Sequence, residues 1–243
     1  VIFQENFDFP SLTDETSRCS YLRTKANDRY DAWIPAKGSA GAQGYTYMEA
    51  CKAMKDNGYY AVVVNAEWGG CGDQYNGEGT ACDCKDAKWF RNVTARGGQG
   101  GMLMYNANNG TESTPDILYA CKVDVCADTY INFTAHIAPA NASRPGTGCD
   151  NNYDDAAVKF VLRDSETQAI LATQTIYDIK LDAGWQELSA MFKSGAAKNG
   201  EKEKSVTIEF VNIAPAGNCG NDLLIDDITL SVCTPSASLT TSN

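Results

Sequence analysis

The stretch Tyr130-Ile-Asn-Phe-Thr-Ala-His-Ile137 decides the fold class. Ile131, Phe133, Ala135 and Ile137 fall on one side of an extended chain, and Tyr130, Asn132, Thr134 and His136 on the other. That is the period-two pattern of a strand with one buried and one solvent-facing side. The pattern continues in both directions. Before it, Ile117, Tyr119, Cys121, Val123 and Val125 alternate over 117–125, 58–65 is β-branched and aromatic, and 101–106 is a short apolar run. After it, 157–162, 170–177, 185–192, 206–213 and 223–232 read as strands between turns rich in Gly, Asn and Asp. Only 47–56 offers a helix, with Met48, Cys51 and Met54 on one face. Many short strands without strand–helix alternation predict an all-β sandwich of two antiparallel sheets, not a parallel α/β fold.

The chain has 243 residues, a net charge of −11 and 43% hydrophobic residues. The apolar content is enough for a core and excludes wholesale disorder. The negative balance argues against nucleic acid, which requires a basic stripe, and against adsorption to anionic membranes. No apolar run reaches the ~20 residues of a membrane span, so no membrane insertion is expected. Ten cysteines occur without a C-x-x-C motif. Structural disulfides of an extracellular or cell-surface protein explain them better than a zinc site at Cys71, Cys82 and Cys84. The segment 67–88 holds three of them with Trp68 and Tyr75, lacks periodicity, and reads as a Cys-rich inserted loop. A second loop, 139–155, carries Cys149 and an acidic run. Val1 to Glu5 has no leader character, and 235–243 is a polar Ser/Thr stretch. The expectation is one module over 1–234, its leader removed, followed by a linker to the rest of a longer multidomain chain.

The last strand, Gly220-Asn-Asp-Leu-Leu-Ile-Asp-Asp-Ile-Thr-Leu-Ser-Val-Cys233, resembles the closing strand of MAM-type and carbohydrate-binding jelly-roll modules. Phe3-Gln-Glu-Asn-Phe-Asp8 resembles their opening strand, and 58–65, 100–106, 126–135 and 184–192 their internal strands. The strand order is similar to that of modules repeated in large secreted or surface proteins of bacteria. The resemblance implies a galactose-binding-like β-jelly-roll, non-catalytic, holding a structural calcium ion and binding a glycan or another cell-surface ligand. The alternatives are a protein-binding adhesion or spacer module and, less favoured, a carbohydrate-active enzyme.

Regular alternation in the last strand turns Asp226 inward with Leu224, Ile228, Leu230 and Val232. A core-facing carboxylate needs a partner. Ca²⁺ held by Asp226 and Asp227, with Glu5 or Asp8 from the opening strand, is one solution. Capping of loop N–H groups by Asp226 without metal is the other. Candidate ligand contacts are Trp68, Tyr75, Trp89 and Tyr153, whose rings could stack on a sugar or simply pack over loop edges. His136, the only histidine, is a ligand contact or a solvated side chain rather than a catalytic base. Cys149–Cys219 and a bridge from Cys233 to Cys126 or Cys121 are the expected disulfides, with Cys71, Cys82 and Cys84 stapling the inserted loop.

Overall fold

A computed structural model of the chain describes residues 3–7, 46–47, 58–63, 65–66, 90–98, 101–107, 115–141, 156–180, 183–196, 201–213 and 221–232. Among them lie β1 (Phe3–Glu5), β2 (Thr46–Tyr47), β3 (Tyr59–Val63), β4 (Met102–Asn106), β5 (Asp116–Cys126), β6 (Tyr130–Pro139), β7 (Ala156–Asp164), β8 (Ile170–Ile179), β9 (Gln186–Lys193), β10 (Glu203–Asn212) and β11 (Leu223–Val232). Tyr47, expected to open a helix, belongs to β2, and 48–56 lies outside the described residues.

The strands form two sheets. The larger runs β2-β3-β4-β11-β6-β9 with β1 added to β11, and the smaller runs β5-β10-β7-β8. Neighbours are antiparallel except β2 and β3. The fold is therefore the expected all-β sandwich of jelly-roll type. Its core lies between the sheets, where Phe133 of β6, Phe160 of β7 and Phe210 of β10 form a continuous aromatic cluster, each ring centroid 4.9 Å from the next and the first pair meeting edge-on. Ile131, Ala135 and Ile137 are buried beside them, as the alternation in β6 requires. At one side, Gln174 Nε2 of β8 donates to the Ser189 carbonyl of β9 at 3.1 Å and ties the two sheet edges together.

Two bulges break the alternation read from the sequence. In β5, Tyr119 opposes Phe210 but Ile117 opposes Val211, one residue out of step. Leu118 and Tyr119 are in the core, while Ile117 turns to the outer face and packs on Val161 and Val211. In β11, Asp226 opposes His136 but Thr229 opposes Thr134, so β11 carries one extra residue. Asp227 takes it up in a left-handed conformation, φ 49°, which Asp tolerates better than most residues. The inward set is thus Leu223 and Ile225, then Ile228 and Leu230. Asp226 stands with Leu224 on the outer face, not in the core as expected, because the bulge that follows puts this pair out of phase with Ile228 and Leu230.

Cys121 is buried in the core, its thiol pushed up to about 12 by burial, and Cys126 is exposed; both are free thiols. Neither is therefore in the bridge expected for one of them, and its expected partner Cys233 lies outside the described residues. Cys71, Cys82, Cys84, Cys149, Cys219 and Cys233 lie outside the described residues.

Where β11 begins, Asp222 acts as a clamp. Its carboxylate accepts the Ala107 N–H at 2.9 Å and the Asn141 side-chain amide at 2.7 Å, joining the ends of β4 and β6. Burial raises its pKa to about 6 against the lowering effect of these donors. The folded state so retains a proton that the unfolded chain, at the ordinary ~3.9, has already released. This favours folding fully below about pH 4 and is lost as pH rises through about 6. Asp222→Asn should remove that loss. Relative to wild type, the variant should gain roughly 2–3 kcal/mol between about pH 4 and pH 7 in denaturant melts. A difference that stays flat across that range would show that Asp222 does not titrate there.

Candidate functional site

The outer face of the larger sheet is divided in two. One half is apolar and covered. Ala61 and Val63 of β3, Met102 and Met104 of β4, Leu224 of β11 and Ala138 of β6 are buried there beneath Phe90 and Ala95. The covering segment, 90–96, is held by backbone bonds. Arg91 N–H donates to the Ala140 carbonyl at 2.8 Å, and the Ala66 N–H to the Val93 carbonyl at 2.9 Å. Trp185 packs half-buried against this outer cluster, and its indole N–H donates to the Thr94 carbonyl at 3.0 Å. It immediately precedes β9 and is aimed at the covering segment, not at the opposite sheet.

The other half is open and polar. Register across β11, β6 and β9 sets out three rows: Asp226–His136–Glu187, Thr229–Thr134–Ser189 and Ser231–Asn132–Met191. Gln4 of β1 extends the second row beyond Thr229. Strand spacing makes each three-residue row ~10 Å wide, and the rows are ~7 Å apart. Tyr130 and Met191, 52% and 59% exposed, stand at the far end. The surface is thus a shallow platform of hydroxyls and two amides, with apolar side chains at one end and a charged cluster at the other.

Arg96 builds that cluster at the margin of the covering segment. Its backbone N–H donates to Asp226 Oδ2 at 2.9 Å, and Asp226 Oδ1 accepts the Asp227 N–H at 2.8 Å. Its guanidinium bonds the Asp227 carboxylate and lies 2.7 Å from His136 Nδ1. His136 Nε2 is 3.5 Å from Glu187 Oε2. Burial and the neighbouring Arg96 lower the His136 pKa, against Asp227 and Glu187, which raise it. The imidazole is therefore neutral at pH 7.

The residues expected to hold calcium do not converge. Glu5 opposes Ile228, so it shares the core-facing side of the sheet, and its carboxylate accepts the Phe7 N–H at 3.0 Å. Asp226 is on the other side, capping two amides, and Asp227 is paired with Arg96. Among the described residues no three His, Cys, Asp or Glu side chains gather to hold a metal. As placed, Glu5, Asp226 and Asp227 do not fit a shared cation; Asp8 lies outside the described residues. So do Trp68, Tyr75, Trp89 and Tyr153. Among the described residues His136 is the one expected ligand contact, and it stands on the platform. Arg96 and Glu187 were not singled out from sequence. The one available signal was Arg96-Gly97-Gly98, whose Gly97 has a φ of 76° and turns the chain just after the guanidinium.

No family model matches the sequence, and no curated protein matches it. Among solved structures, a carbohydrate-binding module described as CBM4 is similar over 59% of this chain and 77% of its own, at 15% identity and TM-score 0.37. A family 16 carbohydrate-binding module is similar over 56% of this chain and 79% of its own, at 16% identity and TM-score 0.31. An apo cyclase from Fischerella sp. is similar over 83% of each chain, at 12% identity and TM-score 0.43.

Asp226 is a structural cap in this arrangement. Asp226→Ala would leave the N–H groups of Arg96 and Asp227 without their acceptor, costing about 1–3 kcal/mol. Asp226→Asn, which keeps one acceptor, should cost less. Thermal melts with and without chelator are the check, and the loss should be the same in both. A wild-type melt that falls on chelation, with the fall abolished in Asp226→Ala, would instead place a cation at this residue.

Proposed function

We propose that the chain is a non-catalytic binding module that takes a glycan on the open half of the larger sheet. The observation that carries this reading is the row arrangement Thr229–Thr134–Ser189 and Ser231–Asn132–Met191 beside Tyr130. Hydroxyl and amide groups both donate and accept, which suits a ligand whose surface is itself hydroxyls. The exposed ring of Tyr130 and the thioether of Met191 offer the apolar contact that sugar faces take. Sheet strands hold these groups at fixed spacing, so little ordering remains to be done on binding. The ten cysteines, without a C-x-x-C motif, support an extracellular or cell-surface setting. Trp68 and Tyr75 belong to this proposal as further ligand contacts: replacing both with alanine should abolish retention at a nearly unchanged melting temperature, and a large stability loss instead would remove them from it.

Affinity electrophoresis against a panel of soluble neutral and acidic polysaccharides tests it. Wild type should be retarded by at least one. Thr134→Arg and Ser189→Arg each place a long side chain over the middle row and should weaken that retention about tenfold or more. Their melting temperatures should stay close to wild type, because both positions face solvent. Retention by no polysaccharide, or retention indifferent to both substitutions, overturns the reading. In that case a protein-binding or spacer role stands in its place.

A further inference from the structure

The charged end of the platform contains an arrangement that a general polar surface does not need. The Arg96 guanidinium has no acceptor atom, so the contact of 2.7 Å between its Nη1 and His136 Nδ1 is a bond that the imidazole accepts. A neutral imidazole has one proton, and Arg96 thereby leaves it on Nε2. That nitrogen faces Glu187, the residue directly opposite on β9. Their separation of 3.5 Å is too long for a good N–H···O bond, so neither group is consumed by the other. The histidine side chain is 16% exposed and that of Glu187 62%, which sets a donor at the floor beside an acceptor at the rim.

Resting on the glycan reading above, we infer that His136 and Glu187 form a hydroxyl-reading pair that selects uncharged sugars over acidic ones, with Arg96 as the positioning residue. A hydroxyl bridging the pair accepts from His136 Nε2–H and donates to the Glu187 carboxylate, satisfying both at once. A ligand carboxylate or sulfate has no proton to give Glu187 and meets its charge head-on. The groups facing His136 are Arg96 from the covering segment, Asp227 and Asp226 from β11, and Glu187 from β9. Asp227 is engaged by Arg96, which leaves the Glu187 charge directed to the platform. Protonating His136 places a second N–H against the guanidinium, so acid should break the Arg96 contact and disturb the pair together. The lowered imidazole pKa keeps the neutral form in place at pH 7.

His136 is the only histidine in the chain, so imidazole ¹⁵N shifts of the intact protein report its tautomer without assignment. The Nε2–H form is expected at neutral pH, with Arg96→Met raising the imidazole pKa and populating the other tautomer. Calorimetric titration with soluble β-glucan, arabinoxylan and galactomannan, against polygalacturonate and alginate, reads selectivity. At least one neutral polymer should bind about tenfold more tightly than either acidic one. Glu187→Gln should erase most of that ratio, chiefly by admitting the acidic polymers. Affinity for the neutral polymer should fall as wild-type His136 protonates, and His136→Gln should flatten that profile. An Nδ1–H tautomer in wild type, a preference for the acidic polymers, or a ratio unmoved in Glu187→Gln overturns the pair while leaving glycan binding intact. Binding to none of the five, with the Nε2–H tautomer present, overturns the glycan reading itself and with it this use of the pair.

Discussion

One edge of β11 is shared by two strands. Residues 223–225 pair with β4 and 228–230 pair with β1, and between them lies the bulge at Asp226 and Asp227. Side chains of a regular strand alternate without exception, so Leu223 and Ile225 would force Ile228 and Leu230 outward. The extra residue resets the phase, and both halves of β11 face the core. The Gly101 N–H donates to the Phe7 carbonyl at 3.1 Å where the chain of β1 meets that of β4, closing the junction on the other side. Aspartate suits both bulge positions for different reasons. Asp227 adopts the left-handed backbone, and the Asp226 carboxylate accepts the Asp227 amide at 2.8 Å.

What the bulge projects outward determines how the outer face is used. The Arg96 amide is drawn to Asp226 and its guanidinium to Asp227, which fixes where the covering segment ends. On one side of that limit, Met102, Met104, Leu224 and Ala138 form an apolar surface too extensive to leave in water. On the other, Thr134, Asn132, Ser189, Thr229 and Ser231 present groups that water already satisfies and that a covering chain would have to desolvate. Small residues at Ala138 and Ala140 let the segment lie close to the sheet, whereas His136, only two positions earlier, stands as a post at its margin. The boundary between covered and open sheet is therefore written in side-chain chemistry along β6.

The sequence shows this division only in part. The alternation in β6 is regular in the structure, so 130–137 read correctly as a strand with His136, Thr134 and Asn132 on its polar side. The resemblance of 220–233 to a closing jelly-roll strand located β11 and drew attention to Asp226. It could not orient Asp226, because a bulge leaves no mark in a hydrophobic pattern when both flanks are apolar. Ile117 was misplaced in β5 for the same reason, and there too an unbroken run of apolar residues concealed the shift. Arg96 was missed on other grounds. It meets His136, Asp226 and Asp227 from 40 and about 130 residues away in sequence, and no local spacing encodes such a meeting. Asp222 is similar: its partners Ala107 and Asn141 belong to other strand ends.

These long-range meetings do not all carry the same load. Asp222 and the Phe133–Phe160–Phe210 cluster face groups inside the fold, so changes there register as stability alone. Thr134, Ser189 and Asn132 lie on the solvent side of strands whose opposite faces are already packed, so changes there leave the core untouched. Arg96 belongs to both sets, through its amide on Asp226 and its guanidinium on His136. On the proposed reading, the tautomer that meets a ligand is set by the same residue that marks the edge of the covering segment. The middle and far rows can then vary with ligand at little structural cost. The first row is constrained, because any replacement at Arg96, Asp226 or Asp227 must still hold the segment down and the bulge in phase.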